Sequence, residues 1–224
     1  MNRMIPLALV VIAAVALGAY FLLPSNVQNV AVADETLSSE TQDTDAAAVA
    51  TGGIEDMILG DPNAPITMIE YASYTCPHCG SFHQNTYPQL KADYIDTGKV
   101  KFIFREVYFD RFGLWASMVA RCGGQDRFFG ITDLMFKTQG DWTRAGDASV
   151  IVEELRKIGR LAGLNNETLE SCLQNEDQAK ALVAWYQENA ARDDINSTPS
   201  FIINGRKYAN MGYAEMQEVL DGLL

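Results

Sequence analysis

Two cysteines separated by a Pro-His pair, Cys76-Pro77-His78-Cys79, follow directly on a short apolar run and open a helical stretch. That junction constrains the fold more than any other feature of the chain. The run before it, Ile66-Thr-Met-Ile-Glu-Tyr71, is rich in β-formers and follows Asp61-Pro62 and Pro65, which predicts a buried strand. Pro77 suits the first helical position, where its missing N–H costs nothing and its fixed φ is already helical. Cys76 then falls at the helix N-cap, where unpaired N–H groups and the positive end of the dipole stabilise a thiolate. His78, when protonated, adds positive charge beside the same sulfur. Cys79, one turn further on, is within reach to close a disulfide. The predicted chemistry is thiol–disulfide exchange.

Plainer readings of the same residues compete with this one. Cys76, Cys79 and His83 give Cys-x2-Cys-x3-His, a partial zinc knuckle, but a structural zinc site needs a fourth ligand that the surrounding sequence does not offer. No metal is therefore predicted. A purely structural Cys76–Cys79 bridge would close too small a loop to constrain the unfolded chain.

Composition sets the frame. The chain has 224 residues, of which 48% are hydrophobic and 21% charged, enough to build a sizeable core. Its net charge of −12 argues against nucleic acid as a partner. The uncharged apolar run from Ile5 to Leu23, preceded by Arg3 and ended by Pro24, is long enough to span a bilayer. No Lys or Arg follows Arg3 until Lys91, so residues 1–4 are expected as a cytoplasmic tail, residues 5–23 as a membrane anchor, and the rest exported. Removal as a signal peptide after Ala31-Val32-Ala33 is the alternative. Residues 24–56, acidic and without aromatics, are expected as a disordered linker, with the folded domain over 57–224.

Export gives the remaining cysteines a meaning. Cys122 and Cys172 lie in separate helix-like segments, and an oxidising compartment predicts a disulfide stapling the two. Two buried free thiols packed as small hydrophobes are the alternative.

Behind the motif the helix is expected to run to about Asp96, kinked at Pro88 and ended by Gly98. Val100 to Val107 reads as a second strand buried on both faces. Helical spacing then dominates over about 112–195. The chain returns to β structure at Ser200-Phe-Ile-Ile, and Asn204-Gly205 marks a hairpin before Arg206-Lys-Tyr. Tyr213 to Leu223 supplies a last amphipathic helix. The predicted class is α/β, with βαβ and ββα halves around a helical insertion.

These residues resemble the thioredoxin superfamily, and within it the DsbA family of exported oxidoreductases, over roughly residues 60–224. The Cys-Pro-His-Cys sequence is that of strongly oxidising DsbA enzymes. Glu70 matches the acidic residue that those enzymes bury beneath the site, which implies a proton acceptor for Cys79. Thr198-Pro199-Ser200-Phe201 resembles the family's cis-proline loop, which lies against the Cys-x-x-Cys helix and implies that Thr198 and Pro199 meet an extended substrate. Ser197 stands where relatives often have Gly, and Thr198 is more typical of reducing or isomerising members, which leaves the redox poise open.

The expected function is an exported thiol:disulfide oxidoreductase that donates a disulfide to newly secreted proteins. It would need no cofactor besides its own redox-active Cys76–Cys79 pair. The resemblance implies unfolded or reduced exported proteins as substrates and a DsbB-like membrane quinone reductase for re-oxidation. A disulfide isomerase or reductase of the same fold is the alternative, and a non-enzymatic metal- or peptide-binding module is the rival from another class.

Overall fold

A computed structural model describes residues 53–224. The expected cytoplasmic tail and anchor, and the linker up to residue 52, lie outside the described residues. Strand β2 (Ile66–Ala72) and strand β3 (Val100–Glu106) form the parallel centre of a five-stranded sheet, paired from Ile66 with Val100 to Ala72 with Glu106. Strand β4 (Ser200–Ile203) runs antiparallel on the other side of β2, and the hairpin partner β5 (Arg206–Ala209) forms that edge. At the hairpin tip both Asn204 and Gly205 take positive φ, 44° and 81°, as a two-residue turn of this twist requires. The sheet order is β1-β3-β2-β4-β5.

Strand β1 (Met57–Leu59) was not legible in the sequence. Its three residues are too few to carry a periodic signal, and they adjoin the acidic segment. It lies antiparallel to β3, with Ile58 opposite Ile103. Order also begins before residue 57, contrary to the expected linker boundary. Asp56 grips the Arg105 guanidinium through two 2.8 Å hydrogen bonds, and the Glu55 carbonyl accepts from Arg121 at 3.0 Å.

The crossover between β2 and β3 is more broken than expected. Helix α1 (Pro77–Asn85) stops at Thr86, and a single turn α2 (Tyr87–Leu90) and a π-helical turn (Lys91–Ile95) follow. A continuous helix would drive the Pro88 ring into the Gln84 carbonyl. The chain breaks one turn earlier instead, leaving Pro88 in the first turn of α2. Gly98, at φ 73°, takes the left-handed conformation that ends the segment.

The insertion consists of α3 (Arg111–Cys122), α4 (Gly124–Lys137), the short α5 (Gln139–Trp142), α6 (Ala148–Leu161), α7 (Asn166–Leu173) and α8 (Glu176–Arg192). Asp110, Asp147, Asn165 and Asn175 cap four of these helices, each accepting backbone N–H groups of the first turn. The cap at Asp110 starts α3 at Arg111, earlier than the apolar spacing from Leu114 suggests. Helix α9 (Tyr213–Asp221) closes the fold by burying Met216 and Leu220.

Alternation along β2 puts Ile66, Met68, Glu70 and Ala72 on one face of the sheet. That face builds the main core with Phe102, Phe104, Phe201, Phe82 of α1 and Phe128, Ile131, Met135 and Phe136 of α4. Tyr71, Val107 and Ile202 form a smaller core on the opposite face. Buried charge is paired. Glu106 holds Arg121 through bonds of 2.6 and 2.7 Å, and the Trp185 ring lies against both Arg105 and Arg121.

Cys122 at the end of α3 and Cys172 in α7, 50 positions apart in the sequence, are joined by a disulfide. A closed loop of that length contributes about 3–4 kcal/mol on the chain-entropy model. Urea unfolding of the Cys122→Ala/Cys172→Ala protein should therefore show a loss of about 3–4 kcal/mol with the fold retained. A loss below about 1 kcal/mol would mean that the unfolded chain already keeps the two segments together in the absence of the bond.

Candidate active site

Cys76 is the N-cap of α1, extended at φ −83° and ψ 118°, and Pro77 is the first helical residue. The Cys76 carbonyl accepts the first intrahelical bond from Gly80 at 3.1 Å. Only 7% of Cys76 is exposed and none of Cys79, whereas Pro77 and His78 face solvent. Both cysteines are free thiols, so the site is described in its reduced form. The Thr198–Pro199 peptide is cis, and its loop meets the helix N-terminus. Cys76 Sγ lies 3.6 Å from the Thr198 carbonyl oxygen.

The two sulfurs have opposite proton affinities. The Cys76 thiol is pulled down to about 5. Hydrogen bonding from the Cys79 thiol is the largest cause, burial opposes it, and the Thr198 hydroxyl and the Cys79 and His78 backbone N–H groups add to it. The Thr198 hydroxyl is buried without a hydrogen-bond partner among the described residues in the dithiol form, so it is free to donate once the sulfur ionises. The Cys79 thiol is pushed far up, chiefly by burial, then by its hydrogen bond to Cys76 and by the negative charge of Glu70. From His78 it is the backbone N–H that reaches the thiolate.

Glu70 is fully buried on the core face of β2, and His83, one turn beyond Cys79 on α1, is its partner. His83 Nε2 lies 2.9 and 3.1 Å from the two carboxylate oxygens. The imidazole that the sequence offered as a zinc ligand is thus turned beneath the cysteines and engaged with a carboxylate. Among the described residues no group of three or more His, Cys, Asp or Glu side chains converges as a metal site would need.

Two supports carried no sequence signal, because distant elements supply them. Gln139, on α5, donates its side-chain Nε2 to the carbonyls of Tyr74 and Cys76 at 2.8 and 2.9 Å, bracketing the turn that carries the nucleophile. A Cβ on Gly80 would stand 2.2 Å from Gln139 Oε1, so only glycine lets the amide come this close. On the other side, Thr75 Oγ1 donates to Asp110 Oδ2 at 2.9 Å, pinning the loop before Cys76 to the start of α3.

The depressed Cys76 value has a pH consequence. A thiol that ionises more readily when folded stabilises the reduced protein, in full above the ordinary thiol pKa, and that contribution is lost as pH falls through about 5. The melting temperature of reduced protein should exceed that of oxidised protein at neutral pH, and the gap should close toward pH 5. Thiolate absorbance should titrate near that value, and Cys79→Ala or Thr198→Val should raise the midpoint by removing a donor. A midpoint in the ordinary thiol range for the native protein would contradict this geometry.

Comparison with known proteins gives a consistent picture. A protein-family model described as thioredoxin matches residues 53–222. A Rickettsia conorii protein with the provisional name protein-disulfide oxidoreductase is 31% identical over 208 residues, covering 91% of this chain and 74% of that protein. A Rickettsia bellii protein of the same provisional name is 33% identical over 167 residues, 74% of this chain, which spans only 63% of that relative's length. The crystal structure of Wolbachia pipientis alpha-DsbA1 superposes with a TM-score of 0.69 at 32% identity, over 75% of this chain and 90% of that one. With a thioredoxin α/β sheet, an inserted helical block and a Cys-x-x-Cys helix facing a cis-proline loop, the chain belongs to the thioredoxin family, among its DsbA-like thiol:disulfide oxidoreductases.

Proposed function

We propose that the protein is an exported, membrane-tethered oxidase that donates the Cys76–Cys79 disulfide to newly secreted proteins. The observation that carries this reading is the contrast between the sulfurs: Cys76 at the helix N-terminus with its pKa near 5, Cys79 buried and strongly proton-loving. A substrate thiolate attacks Cys76 Sγ, the Cys76–Cys79 bond breaks, and its electron pair leaves on Cys79, which takes up a proton. A second substrate thiol, losing its own proton, then attacks the substrate sulfur of the mixed disulfide and expels Cys76 as a thiolate. Two electrons pass from substrate to enzyme. The stability of that thiolate drives the exchange forward, since it makes Cys76 a good leaving group and the reduced enzyme a stable product.

Glu70 is the group beneath Cys79 that gives and takes its proton. Thr198 and Pro199 offer their backbone to an extended substrate beside Cys76, and Pro77 and His78, both exposed, present the rim that a substrate meets first. Regeneration falls to a DsbB-like membrane quinone reductase, which a tether at residues 5–23 would keep close on the periplasmic side. No described helix is long and apolar enough to cross a membrane, and the anchor is proposed from the sequence alone. If residues up to Ala33 are removed, the same domain would act free in the periplasm.

One observation bears on the isomerase alternative. Threonine before the cis-proline resembles the reducing and isomerising relatives. Here, however, its hydroxyl stabilises the Cys76 thiolate, which favours the reduced enzyme and hence an oxidising disulfide.

The deciding experiment is the redox equilibrium of the Cys76–Cys79 pair with glutathione, run beside the oxidation of a reduced, unfolded substrate. An oxidase should show a potential in the range of about −120 to −180 mV and stoichiometric substrate oxidation, both abolished by Cys76→Ser. A potential near about −270 mV with reduction of substrate disulfides would assign a reductase instead. A tightly bound zinc ion with no exchange would revive the binding-module reading.

A further inference from the structure

The Glu70–His83 pair is unusual for its setting. Among the described residues, His83 is the hydrogen-bond partner of both Glu70 oxygens, and no Lys or Arg meets that carboxylate. The imidazole is held rigidly. It stacks on Phe136 with centroids 4.0 Å apart and planes inclined by 13°, while Tyr87, Phe82 and Phe104 close the remaining sides. Helical spacing of four residues sets Cys79 and His83 on the same buried face of α1, directly over the strand that carries Glu70. Glu70 side-chain exposure is 0% and that of His83 is 4%. A carboxylate so enclosed is costly to bury unless a donor meets it. Space filling alone would be met by a phenylalanine in this aromatic box.

We propose that His83 is a positioning residue, whose Nε2–H holds the Glu70 carboxylate in place to exchange a proton with Cys79. The inference rests on the thiol-exchange reading of Cys76 and Cys79. During donation the Cys76–Cys79 bond breaks, the electron pair leaves on Cys79 Sγ, and protonated Glu70 delivers its proton there. The resulting carboxylate is held by the His83 N–H. In the reverse direction the Cys79 thiol gives its proton to the Glu70 carboxylate, and its sulfur attacks Cys76 in the mixed disulfide. The other titratable groups facing the pair are Cys79 itself and Tyr87. Burial, and then the Glu70 charge, keep the Tyr87 phenol protonated well beyond the neutral range. The charges of Asp133 and Asp96 add smaller contributions in the same direction at Tyr87.

The test isolates the step that uses Cys79. Reduced full-length protein is mixed with oxidised glutathione, which first forms a mixed disulfide at Cys76. Attack by Cys79 then releases the second glutathione, and rapid acid quench follows that closure across about pH 5–9. His83→Phe, which fills the aromatic box without a donor, should slow closure at pH 7 by about tenfold or more and displace its pH midpoint. His83→Gln, which keeps an N–H for Glu70, should recover most of the rate. Adding His83→Phe to Glu70→Gln should cost nothing further, because the imidazole acts through the carboxylate. The Cys76 thiolate titration, read in every variant, reports that the nucleophile's environment is intact.

Closure in His83→Phe at the native rate and pH profile would overturn the proposal, leaving the imidazole as packing. Equal slowing in both His83 variants with an unmoved pH midpoint would overturn it too, as would full additivity with Glu70→Gln. If His83→Phe does not fold, His83→Leu takes its place as the variant without a donor. Slow closure in His83→Leu with near-native closure in His83→Gln upholds the role, and native closure in both, or equal loss in both, overturns it. Native protein that forms no mixed disulfide with glutathione is a separate result, since it sinks the exchange reading itself.

Discussion

The site depends on a difference in solvation across one helical turn. Cys76 and Cys79 are chemically identical, yet one thiol ionises near pH 5 and the other is held protonated. The start of α1 creates the difference. Its first N–H groups have no intrahelical acceptor, so they serve the Cys76 sulfur, while the next turn presses Cys79 against the sheet where no water reaches. Charge is therefore welcome at one sulfur and costly at the other. The stable reduced state is therefore one thiolate and one thiol, and the proposed disulfide donation would draw on that asymmetry.

Keeping the asymmetry requires that the turn before α1 be fixed from outside, since α1 has no side-chain cap of its own. The helical insertion supplies the fixing. Gln139 brackets the carbonyls of Tyr74 and Cys76, Asp110 holds Thr75, and Thr132 meets the Tyr74 hydroxyl at 2.7 Å. The insertion is in turn tied to the sheet by charge buried in pairs. Arg121 of α3 meets Glu106 of β3, and Arg105 of β3 meets both Asp56 and Asp193, on either side of the fold. The Arg121–Glu106 pair would be expensive to break from one side, because a buried charge would lose its partner. The disulfide from α3 to α7 adds a covalent tie within the same block.

The approach of the cis-proline loop gives the threonine at 198 a second meaning. As a sequence letter it resembles less oxidising relatives. In the folded protein its hydroxyl stands near the ionising sulfur with no other partner, and its carbonyl faces the same sulfur. One residue thus touches both the stability of the thiolate and the place where an extended substrate would lie.

How much of this was legible in the sequence follows from the range of the interactions. Cys76, Pro77 and Cys79 could be placed because an N-cap, a first-turn proline and a one-turn spacing are local rules, and the strand before them showed in its own β-formers. The hairpin at Asn204-Gly205 was readable for the same reason, since positive φ at two adjacent residues is a local demand. Strand β1 was not readable, because three residues gain their structure only by pairing with β3. Nor was the break at Thr86, where Pro88 clashes a turn upstream of itself rather than at its own position. His83 was visible as a residue but not as the partner of Glu70. Its spacing from the cysteines matched only part of a zinc knuckle, and only the docking of α1 on β2 turns the ring toward the carboxylate. Gln139 and Asp110 gave no sign at all, lying 63 and 35 residues beyond the atoms they hold. The sequence by itself determined the chemistry of the pair and the element order around it. Tertiary structure decided how firmly the Cys79 sulfur keeps its proton, which side chain meets Glu70 beneath it, and what holds the turn in place, because burial and long-range hydrogen bonds exist only after the chain has folded.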